Sequence, residues 1–428
     1  MYKKIWRKIV YLVVLVGALT AMTGGCWGSG QGILFCLYNP QNTGNTDIYL
    51  PSFGSICYAE SQDKQDCMDK LQENFDKNLA DIDMSELQKW LDNLDKKQQF
   101  PTNIKESISK LSKGEFEVSF GGFLEMICSI FLSSFMDILP TIVTIIAIAV
   151  LYSLLNNLTS GFLSSPTKQL IYFVCYIAII VVVMSRGVVL VGQTSSLVIK
   201  MKEFMEIVFP ILLTTIALLG GVSTSAVFKP MMGALATSIT MIVVNYVLPL
   251  VVTILIFSMI SNLSRGVKLE KLTSFFTSLA KVVMGTMFSI FITFLSFQGL
   301  TSGVVDTISI KTAKFALQSY VPIVGGYLSD GFDLMMASIV LIKNSVGVIS
   351  IMILMTYVAV PVVNIIMFSL GLKLAAGIIE PISDSSLAKV VSSIGKNINM
   401  LVAIILGVLF MFLMTIVLII YACNLGVV

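Results

Sequence analysis

The chain has 428 residues, 56% of them hydrophobic and only 12% charged. A soluble domain carries about 25% charged residues, so this composition excludes a soluble globular protein and calls for an integral membrane protein. The net charge of +3 comes without a basic tract that would hold nucleic acid, and the lack of histidine removes His-based triads, imidazole metal sites and the usual proton switch near neutrality.

Residues 1–22 read as a signal peptide or an N-terminal anchor. Lys3, Lys4, Arg7 and Lys8 precede an apolar run from Ile9 to Met22, which is short for a spanning helix. Either version places the next segment outside the cytoplasm. Residues 23–59 are irregular and contain Gly, Asn, Ser and Pro. Cys26, Cys36, Cys57 and Cys67 form no Cys-x-x-Cys pair, so a zinc or thioredoxin-type site is not expected; free thiols and one or two disulfides both remain open.

Residues 60–136 predict a small extracytoplasmic helical region. Met68, Leu71, Phe75, Leu79 and Ile82 keep a three-to-four residue spacing, as one face of a helix does. In Asp83-Met84-Ser85-Glu86 the Asp oxygen is placed to accept free amides of the next turn, and Leu87, Trp90, Leu91 and Leu94 supply the next apolar face. The region is too small for a large core of its own, so its apolar faces are expected to lie on a partner or on the membrane surface. Phe116 to Phe135 forms a third amphipathic piece leading into the bilayer.

Apolar runs of spanning length come next, at about 138–157, 169–191, 207–228, 231–262, 282–300, 335–379 and 398–423. The sequence between them is partly duplicated. Ser153 to Gly161 matches Ser258 to Gly266, Tyr246 to Ser258 matches Tyr357 to Ser369, and Ser278 to Val283 returns as Ser386 to Val391. Ile199-Lys200, Phe204 and Pro210 are echoed by Ile310-Lys311, Phe315 and Pro322. Ordered matches at offsets of 105 to 112 predict internal repeats of about 110 residues, copied at 137–245 and 246–356 and truncated at 357–428.

Lys168, then Arg265, Lys268, Lys271 and Lys281, then Lys373, Lys389 and Lys396 come after the first helix of each copy. The positive-inside rule makes these equivalent loops cytoplasmic, so the repeats are parallel. The expected fold is an all-α polytopic membrane protein with six firm transmembrane helices and two re-entrant or short-helix hairpins. The hairpins enter at Pro210 and Pro322 and turn near Lys229-Pro230 and around Lys343.

Pro210, Gly220, Gly221, Lys229, Pro322, Gly325, Gly326, Asp330, Asp333 and Lys343 are the candidate pathway residues. Broken helices in corresponding halves present unpaired amides and carbonyls to a transported species, although Gly and Pro are also simply more frequent in membrane helices. An isolated intramembrane charge costs roughly 2.5–3.5 kcal/mol, so Lys343 calls for a pair with Asp333, an aqueous lumen, or an ammonium that snorkels to the interface. No nucleotide-binding glycine loop, paired catalytic carboxylates or nucleophile elbow is present, so no enzyme activity and no cofactor are expected.

The stretch from Ile310 to Asp333, with Gln298 to Ser302 before it and Lys343 to Gly347 after it, closely resembles stage III sporulation protein AE. Phe173 to Tyr176, Phe204-Met205, Ser225 to Pro230 and Asp83 to Leu87 share that resemblance, which runs from about residue 60 to the end. It implies a protein of the mother-cell (outer forespore) membrane, with its N-terminal region facing the intermembrane space. The protein would be a membrane component of a secretion-like channel that links mother cell and forespore and supports late forespore gene expression. Implied partners are other stage III A proteins, including a secretion-type ATPase and ring-forming proteins, and indirectly the stage II Q protein; membrane lipid and further copies of the chain are expected as neighbours. Two other readings stand beside it: a secondary transporter with its site at the broken helices, and a non-conducting platform for the rings.

Overall fold

The computed structural model describes residues 61–94, 103–113, 120–158, 165–261, 269–301, 325–383 and 385–421. The expected signal or anchor at 1–22, the segment 23–59, Arg265, Lys268, Lys311 and Pro322 lie outside the described residues. Every regular element among the described residues is helical.

Three short helices come first: α1 (Ser61–Asp81), α2 (Ser85–Asp92) and α3 (Ile104–Lys113). The predicted face of α1 forms, with Leu71, Phe75 and Leu79 buried. Before α2 the Asp83 carboxylate accepts the Ser85 amide at 2.9 Å, and that bond holds its carboxyl below the usual range. The apolar faces do not wait for a partner or a bilayer. They pack on this chain's own long helices, because Trp90 and its neighbours meet apolar rows that those helices extend beyond membrane length.

The long helices are α4 (Phe120–Leu158), α5 (Ser165–Leu218), α6 (Val222–Ile242), α7 (Leu248–Ile260), α8 (Glu270–Thr301), α9 (Gly325–Ile379) and α10 (Ser385–Tyr421). The third amphipathic piece is the opening of α4, continuous with its span. A π-turn over Val243–Val247 joins α6 to α7. Counting α6 and α7 as one, six helices among the described residues are long and apolar enough to cross a membrane. Helices α5 and α9, of 54 and 55 residues, each extend about 80 Å, well past a hydrocarbon core of about 30 Å.

This length corrects the expected hairpins. Pro210 does not break α5: it sits on an exposed face, and the Thr214 hydroxyl donates to its carbonyl at 2.8 Å. Lys229-Pro230 is not a turn but lies inside α6, and Lys343 lies inside α9. The first reversal falls instead at the glycine pair. Gly220 has φ of 86°, a left-handed conformation, while the Gly221 amide donates to Ile216 O at 2.9 Å and the Gly220 amide to Ala217 O at 3.0 Å. These two bonds close the helix end as a Schellman motif. A Cβ in that conformation costs about 1–2 kcal/mol. Gly220→Ala is therefore expected to lower the melting temperature of the purified protein, and Gly221→Ala, at φ of −78°, to lower it less; equal shifts would show that the left-handed geometry does not hold the turn.

Three helix pairs turn at one common end of the bundle: α4 with α5, α7 with α8, and α9 with α10. Helices α4 and α9 run parallel there. Ser134 meets Asn364 at 2.5 Å, Gly371 lies where an added Cβ would come 2.7 Å from Ile142 Cδ1, and the Ser153 hydroxyl donates to Ile382 O at 2.6 Å. The Tyr176 hydroxyl donates to Met259 O. Ser258 and Ser393 share a hydrogen bond of 2.9 Å, and Ser369 donates to Gly395 O at 2.7 Å. Lys168, Lys271, Lys281, Lys373, Lys389 and Lys396 all belong to this end. Helix α10 is the most buried span, with half of its apolar window inside the protein.

Candidate functional site: the buried lysine of α9

Away from the basic end, the upper part of α9 is wrapped by other elements. Leu219, the last residue before the glycine turn, is buried against Met336 and Ile339 of α9, with Phe332 and Val340 beside them. From α1, Asn78 Nδ2 donates to Ser338 Oγ at 2.8 Å, and that hydroxyl lies 2.7 Å from Met335 O. Farther along, a Cβ on Gly347 would lie 2.3 Å from Ile420 Cδ1, so α10 closes directly on the backbone. Trp90 of α2 stands between two long helices, its ring centroid 4.9 Å from Phe204 of α5 and 5.5 Å from Tyr357 of α9.

Lys343 lies between the Ser338 and Gly347 contacts and has 0% exposure. Ser345 and Ser350 are also buried there, and the neighbouring Asn344 Oδ1 is enclosed without a hydrogen-bond partner. Total burial overturns the snorkelling reading, since a snorkelling ammonium reaches water. The expected pair with Asp333 is overturned as well. Ten residues of continuous helix separate the two, about 15 Å of rise, which a lysine side chain does not cover. Asp333 is exposed.

The structure thus gathers part of the candidate set. The Gly220-Gly221 turn is brought to α9 through Leu219, close to the segment that carries Asp333 and Lys343. Gly325, Gly326 and Asp330 belong to the opening turns of α9. Pro210 and Lys229 stay on exposed faces of α5 and α6, while Pro322 lies outside the described residues. The charges at the middle of α5 are neutralised within the helix: Lys200 pairs with Glu203 at 2.9 Å and Lys202 with Glu206 at 3.0 Å. Among the described residues no group of three metal-ligating side chains occurs.

Two features escaped sequence reasoning. The π-turn has a signal in Pro249, whose missing amide leaves the carbonyl four residues earlier without its helical donor. Arg186 is a lone cation inside the apolar run of α5 and faces Pro140 of α4; a Pro and an Arg inside spanning runs were the signal.

The family model described as "Stage III sporulation protein AE" matches residues 102–423. A relative from Bacillus subtilis (strain 168), "Stage III sporulation protein AE", is 26% identical over 282 residues, covering 66% of this chain and 71% of that protein. No solved structure matches.

Proposed function

Since the chain belongs to the stage III sporulation protein AE family, a family of sporulation proteins by its description, we propose that it is the membrane core of a secretion-like channel between mother cell and forespore. In this reading it is not an enzyme and needs no cofactor. It sits in the mother-cell membrane with its basic turns in the mother-cell cytoplasm and α1–α3 in the intermembrane space. Its partners there are other stage III A proteins, among them ring-forming proteins and, on the cytoplasmic side, a secretion-type ATPase; the stage II Q protein is reached indirectly. Several copies of the chain assemble together.

Lys343 carries the conduit part of the reading. A cation kept fully inside the protein, where α1, α9 and α10 converge beyond the hydrocarbon layer, is costly to bury, and in this reading it lines the path. The helix layout supports the parallel repeats. Ser153, Ser258 and Ser369 occupy equivalent repeat positions, and all three make hydrogen bonds at the same end of the bundle, to groups between Ile382 and Gly395. In this scheme the outer arms stand where the hairpins were expected: the end of α5 with the start of α6 in the first copy, and the start of α9 in the second.

The test is compartment-specific expression in a sporulating host deleted for this gene. Expression from a mother-cell promoter is expected to restore late forespore reporter activity and heat-resistant spores, and expression confined to the forespore to restore neither. Rescue from the forespore alone would overturn the proposal.

A further inference from the structure

We propose that α4 and α5 form a binding site for a phospholipid with an anionic headgroup, built on Arg186. Between the two helices lies an open groove of about 470 Å³, lined by Pro140, Thr141 and Thr144 of α4 and by Val182, Arg186 and Val189 of α5. Arg186 is the one charged residue in its lining. Nη2 donates to the Asp137 carbonyl at 3.1 Å, near the kink-prone Pro140, and this is the hydrogen bond Arg186 makes among the described residues. A guanidinium has five N–H donors, so the side chain is held in place by one and retains a fork for a phosphate. The Thr144 and Ser185 hydroxyls are occupied by the Pro140 and Val182 carbonyls of their own helices, which leaves Arg186, with the Thr141 hydroxyl beside it, as the polar recognition element.

Depth and surroundings choose the occupant. Arg186 lies 18 residues beyond Lys168 along α5, about 27 Å, and Asp137 lies 21 residues before the end of α4, about 31 Å. Both distances match one hydrocarbon thickness, about 30 Å, so the guanidinium stands at the headgroup level of the leaflet opposite the basic turns. The groove is flanked by exposed Val143, Val181 and Val188, each 59–60% accessible, which is a surface for acyl chains rather than for water. A free phosphate would match the cation but leave this apolar flank uncovered. The Asp137 carboxylate is exposed and makes no ion pair with Arg186, so the cation is not neutralised by its neighbour.

The experiment uses the full chain reconstituted in nanodiscs of phosphatidylglycerol or of phosphatidylcholine, with lipid retention read by native mass spectrometry and folding followed by chromatography and melting. Wild-type protein is expected to retain phosphatidylglycerol over phosphatidylcholine, and Arg186→Ala to retain it about tenfold less. Arg186→Lys, which keeps charge without the fork, should fall between them. Val189→Trp, which fills the groove and leaves the cation, should also release the lipid, while millimolar inorganic phosphate should not displace it from wild type. Equal retention of both lipids, unchanged retention in Arg186→Ala, or displacement by inorganic phosphate would each overturn the site.

Discussion

Replacing Trp90 with alanine is expected to release α1–α3 from the long helices while leaving the spans folded. Trp90 is 7% exposed and wedged between Phe204 and Tyr357. Truncating a buried Trp to Ala costs about 3–5 kcal/mol, and here the loss falls on one interface, because α2 is only 8 residues long and has no other large aromatic anchor. Hydrogen exchange should accelerate through α1, α2 and α3 and stay slow in α10. The indole offers a sharper control. Trp90 Nε1 is buried without a hydrogen-bond partner, so Trp90→Phe removes an unsatisfied donor together with some volume and is expected to cost little. If Trp90→Phe is as damaging as Trp90→Ala, ring packing is not what holds the two parts together.

Lys343 should separate accumulation from function. Lys343→Glu places the opposite charge in a fully enclosed position, and disruptions of buried charge cost about 3–5 kcal/mol, so this variant is expected not to accumulate. Lys343→Met preserves length and apolar stem. It is expected to accumulate and assemble, yet to fail in late forespore gene expression. Asp333→Asn, on an exposed turn of α9, should accumulate at wild-type levels. Full forespore expression with Lys343→Met would show that the ammonium is a bystander, and the platform reading would then lead.

The sequence is informative wherever periodicity or charge carries the signal. The face of α1, the cap oxygen of Asp83, the all-helical membrane body and a helix break at Gly220-Gly221 are legible in it, although the sequence places the turn itself at Lys229-Pro230. Proline is where such reading fails. Pro210 and Pro230 are open to interpretation as a break and a turn, but each lies inside a helix, because a membrane-length helix loses one hydrogen bond at a proline and keeps dozens. A left-handed glycine ends a helix more decisively. The burial of Lys343 is invisible for another reason. It depends on α1 and α10, which are remote in sequence from α9 and meet it only in the folded chain. Trp90 belongs to a recognisable apolar face, but periodicity does not say which surface that face will meet.

The serine contacts at the basic end have a consequence for how the protein is made. Ser153 of the first span and Ser258 of the third find their partners at Ile382 and Ser393, in a part of the chain that leaves the ribosome long after them. Helix α10, which supplies the centre of the bundle, is also the last of the described helices to be synthesised. Early spans must therefore reside in the bilayer with unfinished polar faces until α10 emerges. A ribosome stalled before Ser385 would leave inserted helices with no centre to gather around, and membrane quality control would meet them in that state.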